Sequence, residues 1–271
     1  MSAGLDVALL SAAVALVTAL LSVYATQSVP KLQARLKSSE VASRYRNPIL
    51  YAAYDLQSRI YNIVQRPYII EMLNSDDPKE KKYAVNSTLF LIAQYLAWAE
   101  AIRRGVQYVD LGKAGKTRDL VNRMAKIRHC FSTRTNVKEL PFRIYRADQR
   151  AIGELMLQGR LDNQSGSMLW RCRGYAYFCA KIDDEQEQSF ESRFGGLKSD
   201  VENLASDQNT ARQRLIDLQH ALIELIDFLD ERRTYVPDDS RSKIDASERK
   251  NASSDQSLAD AAKVRSLPTI P

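Results

Sequence analysis

A chain of 271 residues is long enough for one large domain or two small ones, and 45% hydrophobic with 27% charged residues excludes wholesale disorder. The 10 glycines and 8 prolines are too few for an all-β fold with its frequent turns, so the composition predicts long helices. The net charge of +6 suits either a nucleic acid or an anionic membrane surface, and the positions of the basic residues decide between the two.

The first predicted element is a transmembrane helix. The chain has no charged residue from Val7, through Leu16, to Val29. At ~1.5 Å per residue this run reaches ~34 Å, enough to cross a hydrocarbon core of ~30 Å. A buried core helix would keep a polar face over this length. A cleaved signal peptide would have a basic N-terminal region, whereas Asp6 is the only charged side chain before the run. We therefore predict that residues 1–30 are a membrane anchor.

The residues after the span predict its orientation. Five basic side chains, opposed by Glu40 alone, follow it at Lys31, Arg35, Lys37, Arg44 and Arg46. Because basic residues collect on the cytoplasmic side, the N-terminus is expected outside and the bulk of the chain in the cytoplasm. The same side chains could bind anionic headgroups at about 1 kcal/mol each. A topology signal without lipid recognition would also account for them, and we favour that interpretation.

Helices dominate the predicted cytoplasmic part. Periodic apolar residues and capping residues predict them at Ile49–Val64, Ile69–Leu73, Lys79–Tyr108, Leu120–Cys130 and Asp148–Leu157. The apolar stripe of the third makes it the central buried element. Asn136–Arg146 predicts an extended segment, and for Met168–Ile182 we favour a helix over a strand. The fold class is therefore all-α, with a single N-terminal transmembrane helix followed by a cytoplasmic helical bundle.

The last predicted element is a leucine seam. Apolar residues from Leu197 to Leu229 are spaced alternately by four and three, a heptad-like pattern typical of a coiled coil or a bundle. Asp207 could cap a fresh helix, so the seam could be two helices. Large apolar residues are scarce beyond Pro237. We predict a bundle domain at 31–235 and a disordered tail at 236–271.

No motif for catalysis or for metal or nucleotide binding survives inspection. Between Gly112 and Gly115 only two residues intervene, whereas a Walker A loop needs four. His129 and Cys130 are adjacent on a predicted helix and point about 100° apart, so they are not poised for proton transfer. The histidines are too few for a histidine-rich metal site, and the three cysteines show no metal-ligand spacing. We expect no cofactor and no catalytic residue.

Five charged residues form a candidate polar cluster inside the bundle: Asp55, Arg59, Glu100, Arg150 and Glu154. Arg150 and Glu154 are one helical turn apart, and Gly153 between them would allow close approach of another backbone. If buried, the cluster could line a small-ligand site. We favour the other interpretation, a hydrogen-bond network that fixes helix packing.

Three segments carry a family resemblance: 44–63, 93–100 and 149–154. They resemble an uncharacterised group of N-terminally membrane-anchored helical proteins. The resemblance covers much of the predicted cytoplasmic domain and implies no activity and no site residues.

The function hypothesis is a membrane-tethered, non-catalytic helical interaction or scaffold protein, and we do not expect an enzyme. The alternative is a membrane-bound enzyme or a ligand or lipid sensor that uses the polar residues inside the bundle. The expected partners are the lipid bilayer, an unknown protein and a second copy of the chain. The homodimer is predicted from two signals, the leucine seam from Leu197 to Leu229 and a stripe of small residues in the span. The stripe is the favoured contact, and its residues repeat by four and three at Ala8, Ala12, Ala15, Ala19, Ser22 and Thr26. Nucleic acid is not expected, since the basic residues concentrate beside the bilayer.

Overall fold

A computed structural model describes residues 15–19, 22, 24, 26, 44–105, 114–134, 141–162, 168–184 and 186–245. Most of these residues are helical, which confirms the all-α prediction at that coarse level. Most of the predicted span, three of the five basic residues after it (Lys31, Arg35 and Lys37) and residues 246–271 of the predicted tail lie outside the described residues.

The elements follow one another with short connections. Helix α1 covers residues 44–64. The later elements are α2 (Tyr68–Asn74), α3 (Pro78–Gly105), α4 (Ala114–Ser132), α5 (Arg146–Met156), β1 (Leu157–Leu161), β2 (Met168–Cys172), α6 (Tyr175–Ile182), α7 (Gln188–Asn203) and α8 (Asn209–Leu229). A short 3-10 turn at Asp238–Arg241 is the last element. The predicted helices between Ile49 and Leu157 are confirmed to within a few residues at most ends.

Helix α3 is the central element, as its apolar stripe predicts. It contacts α2, α5, α6, α7 and the second strand. Its Leu89, Tyr95, Ala97 and Ala101 are completely buried. Small side chains at two of these positions keep the neighbouring helices close, so α3 positions most of the polar groups described below.

Gly153 sets the distance between α5 and α3. A Cβ atom added at this glycine would lie 2.6 Å from the carbonyl oxygen of Leu96 and 2.9 Å from Cβ of Glu100. No side chain fits in that space, so the two backbones approach only because residue 153 is glycine. The predicted close approach at Gly153 is confirmed.

Four phenylalanine rings fasten α6 and α7 to α3. The ring of Phe178 lies 5.8 Å from that of Phe90 and 5.2 Å from that of Phe194, and the rings of Phe190 and Phe194 stack at 5.5 Å. Such offset and edge-to-face pairs each add about 0.5–1.5 kcal/mol beyond the burial of apolar area.

The leucine seam is two helices packed within one chain. Asp207 accepts hydrogen bonds from the backbone N–H groups of Asn209 and Thr210, at 2.8 and 3.2 Å, and so starts α8 after the end of α7. The seam side chains of both helices are buried, among them Leu197, Val201, Leu215 and Leu222. Its heptad spacing therefore serves intramolecular packing.

The predicted helix over Met168–Ile182 is wrong for its first five residues. Met168–Cys172 pairs antiparallel with Leu157–Leu161, with Gly159 opposite Trp170. A short apolar run suits either structure, and the choice falls to a pairing partner elsewhere in the chain. Tyr175–Ile182 is helical, as predicted.

The boundary of the predicted tail at 235/236 is also wrong. Val236 and Ile244 are 2% exposed and belong to the hydrophobic core, and the charged side chain of Arg241 is buried between them. We call residues 236–245 the C-terminal segment. It packs although its composition is polar, because the two apolar side chains and the buried arginine all find partners on the bundle.

Among the residues that the structure describes, no helix combines the length and the apolar character that a bilayer crossing requires. Of the predicted span Val7–Val29, residues 15–19, 22, 24 and 26 are described. They are helical, and their side chains are exposed, Leu16 at 63% and Val17 at 54%.

Candidate functional site

The two described basic residues of the predicted flank lie at the start of α1. Arg44 is exposed. The guanidinium of Arg46 donates from Nε to the backbone carbonyl oxygen of Leu229 at 2.8 Å, where α8 ends. A cation at a helix C-terminus satisfies free carbonyls and is favoured by the helix dipole. Arg46 therefore has a structural contact that joins the first and last helices.

Glu100 is the centre of a buried ion-pair network. Its side chain is 2% exposed. It accepts hydrogen bonds from Nε of Arg103 at 2.6 Å and from Nε of Arg104 at 2.7 Å. Burial by itself would raise the pKa of Glu100, but the two guanidinium groups outweigh burial and hold its pKa below the ordinary value.

The network continues from α3 to α5 and to the hairpin. Nη2 of Arg104 donates to Glu154 at 2.7 Å, and the Arg104 guanidinium lies 4.8 Å from the centre of the Trp170 ring. The backbone N–H of Trp170 donates to the Tyr45 hydroxyl at 3.4 Å. The charged groups of this network are thus paired with one another, and their geometry fastens four elements together.

The structure divides the predicted polar cluster. Glu100 and Glu154 share the network above, whereas Arg150 is exposed on α5. Asp55 and Arg59 lie on α1 and belong to a different surface. Although they are one helical turn apart, no ion pair between them is found among the described residues. Burial raises the pKa of Asp55, and no neighbouring cation offsets this effect.

Arg59 is hydrogen-bonded to a hydroxyl group of α3. Its Nη1 donates to Oγ1 of Thr88 at 3.2 Å, and the Thr88 hydroxyl donates to the carbonyl oxygen of Ala84 at 2.7 Å. Desolvation lowers the pKa of Arg59, and a hydrogen bond to Tyr83 together with the nearby phenols of Tyr68 and Tyr175 offsets part of that effect. Within the described chain, no carboxylate pairs with this guanidinium.

Sequence reasoning missed a second buried network, formed by the C-terminal segment. Asp230 accepts backbone hydrogen bonds from Thr234, Tyr235 and Val236, at 2.9, 3.0 and 3.0 Å. Nη2 of Arg241 donates to the same carboxylate at 2.6 Å. Asp230 is 1% exposed and Arg241 is 8% exposed.

Three further side chains hold the C-terminal segment on α1 and α8. Gln57 donates to the Ser240 carbonyl and Gln219 to the Ser242 carbonyl, each at 2.9 Å. Nε2 of His220 lies 2.9 Å from the carbonyl oxygen of Ile244. Two glutamines on otherwise apolar helix faces are the one signal in the sequence that could have indicated this docking, since buried amides need partners.

Another missed residue is Arg214, which caps α4 across the bundle. It is buried, and its guanidinium donates to the carbonyls of Cys130 and Thr133 at 2.6 and 2.8 Å. These carbonyls end α4 and have no partner within the helix. The arginine therefore replaces the residue that would normally cap the helix locally.

Two of the cysteine thiols are buried in a way that disfavours the thiolate. Burial raises the pKa of the Cys172 thiol to about 12, and burial also raises the pKa of Cys130. A thiol with a raised pKa is not ionised at neutral pH and is a poor nucleophile. In this part of the chain, no group of three or more histidine, cysteine or carboxylate side chains could hold a metal ion.

The chain matches no family model, no curated protein and no solved structure. The resemblance stated above therefore has no support from these comparisons.

Proposed function

We propose that the protein is a membrane-tethered, non-catalytic interaction or scaffold protein, with its N-terminus outside and its helical bundle in the cytoplasm. The observation that carries the proposal is the uncharged run Val7–Val29 followed by five basic residues. The described residues of that run are helical and exposed, so their apolar side chains have no protein core around them. Lipid would cover such a surface.

The end of the bundle at which α1 starts suits an anionic leaflet. Arg46 joins this end to the end of α8, and Tyr45 joins it to the end of α3 through Trp98, whose ring lies 6.5 Å away. Lys116 at the start of α4 pairs with Glu231 at 3.1 Å. The basic side chains at this end outnumber the acidic ones: Arg44, Arg46, Arg103, Arg104, Lys116, Arg232 and Arg233 against Glu100, Glu154, Asp230, Glu231 and Asp238. Such an excess attracts anionic lipid at short range.

The scaffold part of the proposal is supported by the pairing of the buried charged groups with one another. The Glu100 and Asp230 networks satisfy their charges internally and join helices that are distant in sequence. In an active site, by contrast, such groups would face an open cavity with unsatisfied positions. A rigid bundle with an exposed surface on a membrane anchor suits the display of a binding surface to another protein.

A comparison of two captures tests this proposal. The full-length protein and a variant without residues 1–30 are purified by affinity from the same cells, and mass spectrometry identifies the bound proteins and lipids. We expect the same stoichiometric protein partner in both captures, and lipid with the full-length protein only. Capture of a small metabolite without any protein partner would favour the ligand-binding alternative.

A homodimer remains part of the proposal. The described small residues of the stripe are Ala15, Ala19, Ser22 and Thr26. The hydroxyls of Ser22 and Thr26 donate to helix carbonyls, at 2.8 and 2.6 Å, so they stay close to the helix surface. A smooth helix face of this kind allows two transmembrane helices to pack closely. The leucine seam takes no part in the dimer, since it packs within the chain.

A further inference from the structure

A cleft of about 530 Å³ opens between α3 and α7, and we call it the α3–α7 cleft. Near its N-terminus, α3 lines the cleft with Lys81, Lys82 and Asn86, and α7 lines it with Lys198 and Glu202. None of these side chains belongs to the Glu100 or the Asp230 network. Because sites for small molecules measure about 300–1,000 Å³, the cleft has room for a small ligand.

Asn86 is a buried amide in this cleft without a partner in the chain. The residue is 4% exposed and lines the cleft. The next two residues donate their hydroxyls to helix carbonyls, Ser87 to Tyr83 and Thr88 to Ala84. The Asn86 amide forms no hydrogen bond within the part of the chain that the structure describes. A buried amide without a hydrogen bond costs folding free energy, and a ligand that bonds to it would explain why it is there.

Three charged side chains of the cleft are unpaired. Lys82 pairs with Asp183 at 2.8 Å. Lys81, Lys198 and Glu202 are exposed, and among the described residues none of the three has an ion-pair partner. Lys198 and Glu202 lie one helical turn apart on α7, a spacing at which two such side chains often pair, yet they form no ion pair. The chain therefore presents two cations and one anion to a ligand.

Two aliphatic side chains give the cleft an apolar wall. Leu73 near the end of α2 and Val85 on α3 line it, are 7% and 5% exposed, and belong to the hydrophobic core. An inorganic anion would leave this wall uncovered. An organic acid with a short carbon chain removes it from water, which favours such a ligand.

We propose that the α3–α7 cleft binds a small amino acid with two carboxylates, of the glutamate type. Its two carboxylates complement Lys81 and Lys198, and its ammonium complements Glu202. The Asn86 amide supplies a hydrogen bond to the ligand, and the carbon chain lies against the apolar wall. This site is independent of the membrane tether and goes beyond the scaffold function.

Calorimetric titration of the purified full-length protein with glutamate, at constant ionic strength, tests the site. We expect saturable binding with a Kd at or below roughly 1 mM. Asn86→Leu removes a hydrogen bond to a charged ligand and should weaken binding about tenfold or more. Lys81→Gln and Lys198→Gln each remove an exposed ion pair and should weaken it about two- to fivefold. Lys79→Gln, an equal charge change on α3 outside the cleft, is the control and should leave the Kd unchanged.

Two analogues test the class of ligand. Glutarate lacks the ammonium group and 4-aminobutyrate lacks one carboxylate, so both should bind the wild type more weakly than glutamate does. Glu202→Gln should abolish the preference for glutamate over glutarate, since the variant has no anion for the ammonium. Equal binding of glutarate and glutamate to the wild type would overturn the assignment to an amino acid.

Thermal unfolding separates binding from folding. Because the Asn86 amide has no partner in the described chain, Asn86→Leu should keep or raise the melting temperature of the protein without ligand. Glutamate should raise the melting temperature of the wild type but not that of this variant. A lower melting temperature of ligand-free Asn86→Leu would show that the amide serves the fold. Absence of saturable glutamate binding to the wild type, or equal binding to Asn86→Leu, would overturn the site.

Discussion

Arg241 lies 11 residues after Asp230 and donates to its buried carboxylate at 2.6 Å. This contact closes the C-terminal segment onto α8. It makes a stretch of polar sequence an integral part of the bundle.

Removal of the arginine is expected to destabilise the bundle. Arg241→Met leaves the buried carboxylate of Asp230 without its cation, and breaking such a pair typically costs about 3–5 kcal/mol, reduced here because three backbone N–H groups remain on the carboxylate. We expect a loss of about 2–4 kcal/mol in the free energy of unfolding, measured with urea.

The control lies in the same segment. Arg233→Met removes an exposed ion pair to Asp238, whose side chains are 60% and 66% exposed, and should change stability by less than about 1 kcal/mol. Equal losses of unfolding free energy in both variants would show that the buried ion pair stabilises the protein no more than the exposed one.

Glycine-to-alanine replacements at Gly153 and Gly196 are expected to change the stability of the protein in opposite directions. Gly153→Ala drives a methyl group into the Leu96 carbonyl and should destabilise the protein by about 1–3 kcal/mol, as overpacking does. Gly196 is exposed in α7, and a Cβ atom there meets nothing within 4 Å. Gly196→Ala should stabilise the helix by about 0.5–1 kcal/mol. Thermal unfolding of the two variants measures both changes in stability. If Gly153→Ala left the stability unchanged, α5 and α3 would be free to move apart.

The Glu100 network makes stability depend on pH. Because the folded pKa of Glu100 is lowered, its contribution is complete above the ordinary glutamate value of about 4.3 and is lost as the pH falls through the lower folded value. Glu100→Gln should therefore be much less stable than wild type at neutral pH, with the gap narrowing below about pH 4. Urea unfolding at several pH values measures the gap. Glu231→Gln, at an exposed pair with Lys116, is the control and should show little gap at any pH.

The dimer prediction rests on the small residues of the span. Replacing Ala15 and Ala19 together by leucine fills the proposed stripe without lowering its hydrophobicity. Crosslinking in membranes should detect dimers of the wild type and fewer dimers of the double variant. Leu16 and Val17 lie beside the stripe. Their replacement by isoleucine and leucine, respectively, is the matched control. Undiminished dimers in the double variant would exclude this interface, and no dimers at all would remove the hypothesis.

The local features of the fold could be predicted from the sequence, because they follow from local patterns. The apolar period placed α3 and the leucine seam, Asp207 indicated the start of α8, and Gly153 indicated a close helix contact. The hairpin could not be predicted, since Met168–Cys172 needs a partner strand that no local pattern identifies. The docking of Val236 and Ile244 likewise depends on two glutamines that lie far away in the sequence.

In the candidate site too, contacts within one helix could be predicted from the sequence and contacts between elements could not. Glu100 and its arginines are three and four residues apart, a spacing at which side chains on one helix pair. The same rule fails for Asp55 and Arg59, because Thr88 and Tyr83 on α3 draw the guanidinium away. Tertiary neighbours decide the partner of a half-buried charge, and a sequence pattern does not contain them.

The central claim is that an N-terminal anchor holds the bundle on the cytoplasmic side, and the orientation of the chain in a membrane tests it most directly. A specific protease site is placed before Asp6 in one variant and after Asp245 in another, and right-side-out vesicles are treated with the protease. The account predicts cleavage at the first site in intact vesicles and at the second only after permeabilisation. Cleavage after Asp245 in intact vesicles, or recovery of the protein in the soluble fraction, would contradict it.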